Sequence, residues 1–291
     1  MDRRKFAVIG GDMRNLYLAE LLKKDYHCVK IYGFDRSGNT WARKSQSVDS
    51  VLDGAQIIVG GIPFLSDKEY VNMPLSEEKL KFSRLLEKIP ENSVLIAGVI
   101  SQSTIEQLNQ KNVKCIDIIK REEMAVLNAV PTAEGAVSIL LQELPKTLKD
   151  STVLIVGYGR IGKILSRMLN GFGTDVWVAA RKFSDLAWIE AQGFKPVPVS
   201  QIDRYIGDMD AVVNTVPALV ITKEILKKAR TDCYLLDLAS APGGIDFEAA
   251  RELKIKFNWA LGLPGKVAPL TAGDIIRKTI YNIIDEERGG Y

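Results

Sequence analysis

The chain has 291 residues, of which 46% are hydrophobic and 26% charged, with 39 basic side chains against 36 acidic ones. That length accommodates two ordinary domains, and a near-neutral charge without basic clusters gives nucleic-acid binding no support. No run of about 18 apolar residues suits a membrane span, and the apolar stretch in MDRRKFAVIGG is too short for an export signal, so a cytoplasmic location is expected.

In chain order, apolar runs of strand length alternate with helical patterns. Strands are expected over residues 6–9, 28–32, 57–59, 94–97 and 113–117, with helices over 15–23, 76–88 and 103–109. The runs are continuous rather than alternating, as in strands buried on both faces of a parallel sheet. Residues 122–144 carry Ala, Leu, Val and Glu at helical spacing, and Pro131 sets the expected helix start at about Thr132. A second series has strands over 152–156, 175–179, 211–215, 234–238 and 255–259, then a last helix over 272–287. The expected fold is α/β, with two Rossmann-like doubly wound parallel-sheet domains and a cleft between them. The first domain, read as the substrate and catalytic one, spans 1–125 and is rejoined by the C-terminal helix 274–291. The second, holding the cofactor, spans 126–273.

The sequence from Thr152 reads TVLIVGYGRIGKILSRMLNGFGTDVWVAARK. An apolar strand runs into Gly157-Tyr158-Gly159-Arg160-Ile161-Gly162, and an amphipathic helix follows. Gly157 permits the tight turn, Gly159 lets backbone approach a pyrophosphate, and Gly162 lets the helix pack closely. The helix N-terminus offers free N–H groups to the phosphates. With a strand before it and a strand after the helix, the motif is specific for a dinucleotide. The next strand ends in Ala179-Ala180-Arg181-Lys182, with no carboxylate before Asp185. Arg181 and Lys182 suit a 2′-phosphate, so NADP is favoured over NAD.

Two later strand ends belong to the same crevice. Thr215-Val216-Pro217 is expected to pack on the cofactor, and Ala239-Ser240 brings a hydroxyl toward the nicotinamide. In the first half, glycines follow three strands, at Gly10-Gly11, Gly60-Gly61 and Gly98, where backbone must approach something closely. Arg14, beside the first of these, is a candidate carboxylate ligand. The segment 260–273 holds three glycines and two prolines and is read as a loop, with Lys266 as a second anion ligand. Cys28, Cys115 and Cys233 are isolated and read as reduced, buried thiols. A single histidine, His27, makes neither a metal cluster nor a general base, and no metal is expected.

These motifs, in this order, resemble the dipicolinate synthase A-subunit family of spore-forming bacteria. The resemblance rests on VIGGDMRNLYLAELL, VPTAEGAVSILLQELPKTLKDSTVLIVGYGRIG, NTVPALVI, LLDLASAPGGIDF and ALGLPGKVAPLTAG, and covers essentially the whole chain. It implies oxidation of a dihydro- or hydroxytetrahydrodipicolinate to dipicolinate, with a B subunit for partner, in the cytoplasm of the mother cell during sporulation. Homo-oligomers are expected as well. For the dianionic substrate, Arg14 and Lys266 are the cationic candidates, and Ser101 and Ser240 the neutral donors. Lys120, Arg121 and Glu122 rank lower, and Glu134 is a candidate base. Two alternatives stand beside this reading. One is a cofactor-binding regulatory subunit whose partner does the chemistry. The other is a different dehydrogenase of the alanine or 2-hydroxyacid type.

Overall fold

A computed structural model describes residues 3–38, 40, 42–287 and 289. The chain forms two compact units, residues 1–127 with 268–291, and residues 128–267.

The first unit begins with β1 (Lys5–Ile9), α1 (Met13–Lys24), β2 (Cys28–Tyr32), β3 (Arg43–Lys44), α2 (Val48–Leu52) and β4 (Ile57–Val59). It continues through β5 (Leu65–Ser66), β6 (Tyr70–Val71), α3 (Phe82–Lys88), β7 (Val94–Ala97), α4 (Gln102–Gln110) and β8 (Lys114–Asp117). Six strands pair in parallel in the order β3-β2-β1-β4-β7-β8. Both faces are covered, which is why the strands read as unbroken apolar runs. Val8 and Ile31 point into one core, Ala7 and Ile58 into the other.

The helix expected over 76–88 is confined to α3. Val71 N–H donates to the Leu80 carbonyl, and Phe82 N–H to Glu69. Pairing with the β5–β6 hairpin thus holds the residues before Phe82 extended, and tertiary pairing overrides their helical spacing.

Then α5 (Glu122–Glu143) runs without a break through Pro131, starting some ten residues before the expected Thr132. Proline leaves the Leu127 carbonyl without its helical N–H. One residue on, the Thr132 hydroxyl donates to the Asn128 carbonyl at 2.7 Å. Among the described helices α5 alone is long and apolar enough to cross a membrane, and its Ala133, Ala136, Val137 and Leu140 lie in the core of the second unit.

The second unit comprises β9 (Thr152–Val156), α6 (Arg160–Gly171), β10 (Asp175–Ala180), α7 (Phe183–Ala191), β11 (Lys195–Pro198), α8 (Ile202–Tyr205) and β12 (Ala211–Asn214). It closes with α9 (Lys223–Leu226), β13 (Tyr234–Asp237), α10 (Phe247–Glu252), β14 (Phe257–Trp259) and α11 (Leu263–Val267). Its six strands are again parallel, in the order β11-β10-β9-β12-β13-β14. Sequence patterning missed β11, which carries Pro196 and Pro198 and lies at the sheet edge, where a missing N–H is tolerated. The segment 260–273 is not a loop. It forms α11 and the first turn of α12 (Pro269–Glu287), with proline at the opening position that favours it.

The last helix belongs to the first unit, burying Ile276, Ile280, Ile283 and Ile284 at helical spacing. A methyl group at Gly273 would lie 2.7 Å from the Arg14 carbonyl oxygen, so α12 and α1 meet backbone to backbone.

Candidate functional site

The turn after β9 has the geometry its glycines call for. Gly157 takes a φ of +103°, open to glycine at no steric cost. A side chain there would collide with the Thr215 hydroxyl and reach within 2.8 Å of Val216 Cγ2. A methyl group at Gly162 would run into the carbonyl oxygen of Gly157, so this glycine serves the contact of helix with turn. At Gly159 it would meet nothing within 4 Å. Gly159 is also the N-cap of α6, and no side chain caps the helix there. The first turn of α6 thus has no side-chain cap and begins beside a residue without a Cβ, which suits a pyrophosphate.

A cavity of about 440 Å³ opens from this turn. It is lined by Gly157, Tyr158, Gly159, Arg181, Lys182 and Asp185, and by Thr215, Val216 and Pro217 across the turn. Residues from three of the four strand ends expected at the crevice thus share one surface, and Ala239 and Ser240 are not among those that line it. Arg181 and Lys182 are exposed, directly after Ala180 closes β10. Ile161 is half-buried against the core under the turn. Arg160 opens α6. The Tyr158 ring is buried, its hydroxyl has no hydrogen-bond partner, and burial pushes its pKa up. The residues present fit a dinucleotide.

The strand ends beside the turn are held by a pair that sequence reasoning missed. Asn214 and Asp237 end β12 and β13, face each other in register, and are fully buried. Asn214 Nδ2 donates to Asp237 Oδ1 at 2.8 Å and to the Val216 carbonyl at 2.9 Å, while its Oδ1 accepts from Val216 N–H at 3.1 Å. The Asp237 carboxylate also accepts from Ala239 N–H at 2.9 Å and Gly244 N–H at 2.7 Å. One amide and one carboxylate thereby fix Thr215-Val216-Pro217 and Ala239-Ser240 together. Thr215 adds a bond to the Val156 carbonyl at 2.9 Å. The signal in the sequence was a charged residue inside the apolar run of 234–238. Ala239 is buried and Ser240 exposed. Lys266 is exposed on α11 and makes no ion pair among the described residues.

In the first unit the glycines approach the chain itself. Gly11 N–H donates to the Asn72 carbonyl at 2.7 Å, and a Cβ at Gly10 would lie 2.5 Å from Met73 Cγ. A Cβ at Gly60 would meet Phe64, and one at Gly98 would meet Ile62 and Ile119. The segment after β6 thus fills the turn that follows β1. Arg14 is committed as well. Its Nε and Nη2 grip Asp12 at 2.8–3.1 Å, and Nη2 also donates to the Ile62 carbonyl at 3.1 Å. Ser101 caps α4 by accepting from Thr104 N–H. Arg121 is clasped by Glu123 and Glu286, which raise its pKa. Lys120, Glu122 and Glu134 are exposed.

Comparison with known proteins agrees with this geometry. Residues 5–119 match the family described as the N-terminal domain of the dipicolinate synthase A subunit, and residues 132–234 match the NAD binding domain of D-isomer specific 2-hydroxyacid dehydrogenases. The dipicolinate synthase A subunit of Bacillus subtilis (strain 168) is 31% identical over 286 residues, covering 97% of this chain and 96% of the relative. The crystal structure of the A subunit from Bacillus halodurans superposes with a TM-score of 0.89 at 29% identity, over 96% of this chain and 97% of the other. That of the corresponding dipicolinate synthase chain from Bacillus subtilis gives 0.88 at 29% identity, over 100% and 99%. The chain belongs to the dipicolinate synthase A-subunit family, with the nicotinamide-binding domain of an NAD(P)-dependent oxidoreductase subunit.

Proposed function

We propose that this chain uses NADP to oxidise dihydrodipicolinate, or its hydroxytetrahydro precursor, to dipicolinate, in partnership with a B subunit in a sporulating cell. One observation carries the cofactor choice. The cavity at the glycine turn bears two exposed cations, Arg181 and Lys182, and no carboxylate at the strand end itself. Charge-assisted bonds to a 2′-phosphate follow from that chemistry.

When bound, the nicotinamide accepts the hydride. The chain's own groups bind and orient. Loss of a hydride and a proton from a dihydropyridine, which the hydroxytetrahydro form reaches by losing water, leaves an aromatic ring, so the step is downhill and needs less acid–base assistance than oxidation of an alcohol. The single histidine is buried beside β2 and is not required. For the dicarboxylate we favour Lys266 and Ser240, which are exposed and carry no competing side-chain bond among the described residues. Arg14 would have to exchange Asp12 for a substrate carboxylate. We assign the cofactor to the second unit, which also carries Lys266 and Ser240.

The commitment of Arg14 favours a second reading, in which the chain binds the cofactor and the B subunit completes the chemistry. Purified chain with substrate and NADP separates the two. Dipicolinate and NADPH formed without the partner support the first. Cofactor binding with turnover only once the B subunit is present supports the second. Lys266→Ala should raise the substrate KM by about tenfold, the worth of one charged hydrogen bond. An unchanged KM would remove Lys266 from the site.

A further inference from the structure

Asp237 is fully buried at the end of β13, and among the described residues no cation pairs with it. Its three neighbours, the Asn214 amide and the N–H groups of Ala239 and Gly244, all donate. A carboxylate, which only accepts, is what this surrounding fits. A negative charge in this dry position is little screened by water.

The sheet order sets which strand ends neighbour that charge. The glycine turn and the N-terminus of α6 follow β9, and Arg181 and Lys182 follow β10 on one side of it. A dinucleotide with its pyrophosphate on the turn and its adenosine phosphate by β10 would extend its nicotinamide to the other side, toward the ends of β12 and β13. Asn214 and Asp237 are the residues at those two ends.

We propose that the buried charge of Asp237 makes the site selective for the oxidised cofactor. The oxidised nicotinamide ring carries one positive charge and the reduced ring none, so the carboxylate attracts the first and is indifferent to the second. The inference rests on the NADP reading above and gives it a direction. Aromatisation drives hydride removal, so the site can favour the oxidised form and still turn over. The gain is ready loading of NADP+ and ready loss of NADPH.

The test is the dissociation constant of each redox form, by calorimetry on the full chain and on Asp237→Asn at one ionic strength. The wild type should hold NADP+ more tightly than NADPH. The variant should lose affinity for NADP+ on the order of tenfold while NADPH changes by less than about twofold. Equal weakening of both forms would assign Asp237 a purely structural role and overturn the inference, with the cofactor reading intact. Should the variant fail to fold, the wild type decides alone, because equal or tighter binding of NADPH overturns the proposal. A chain that binds neither form would instead remove the cofactor reading, and this inference with it.

Discussion

A methyl group added to the glycine turn should have opposite consequences three residues apart. At Gly162 it runs into the Gly157 carbonyl oxygen, so Gly162→Ala should cost about 1–3 kcal/mol of stability and lower the Tm of the free chain. At Gly159 it meets nothing within 4 Å, and the φ of −84° suits alanine, so Gly159→Ala should leave stability within about 0.5 kcal/mol. Its effect should fall on cofactor affinity alone. Thermal unfolding with and without NADP distinguishes the two, and equal destabilisation would contradict these roles. Arg181→Asp should weaken NADP by about 10- to 100-fold, the range for a charged hydrogen bond, and leave NAD nearly unchanged, as read by titration of each. The glycines and these cations were legible because each is a local requirement of one turn or one strand end. Asn214 with Asp237 was not, since the two lie 23 positions apart and meet only once β12 and β13 are in register. The commitment of Arg14 was hidden for the same reason, as the Ile62 carbonyl reaches it from 48 positions away.

Elements repeat the lesson at longer range. The strands of both sheets were readable because two-sided burial makes them apolar throughout. The β5–β6 hairpin was not, since its two-residue strands are fixed by pairing rather than by pattern. The packing of α12 on α1 is also tertiary. Gly273→Ala would place a Cβ within 2.7 Å of the Arg14 carbonyl and should destabilise the first unit by about 1–3 kcal/mol, measurable by denaturant unfolding. Beside the same helix lies His27, edge-on to Tyr281 at 5.9 Å, with Nδ1 accepting from Arg4 N–H and Nε2 buried without a partner. Burial lowers its pKa from 6.5, against the opposing pull of Asp25. Below that value the unfolded chain binds a proton that the folded chain resists. The stability His27 contributes is therefore complete above pH 6.5 and lost as pH falls through its lower folded value. His27→Gln should flatten the fall in Tm on acidification across this window, and an unchanged slope would contradict it.

At the scale of the whole chain, two sheets with one strand order have turned the same glycine-bearing strand end to different uses. In the second unit the turn after β9 is open, with α6 uncapped beside it. In the first unit the turn after β1 is filled by Asn72 and Met73 of the same chain. One dinucleotide per chain is therefore expected, and calorimetry finding two equivalent sites would contradict that count. The measurement that bears most directly on the proposed function is a reaction of dihydrodipicolinate with purified chain and its B-subunit partner, with NADP or NAD for acceptor. Dipicolinate and NADPH should appear together in equal amounts, with NADP clearly preferred. Dipicolinate formed equally well with NAD, or without any reduced cofactor appearing, would contradict the proposed function.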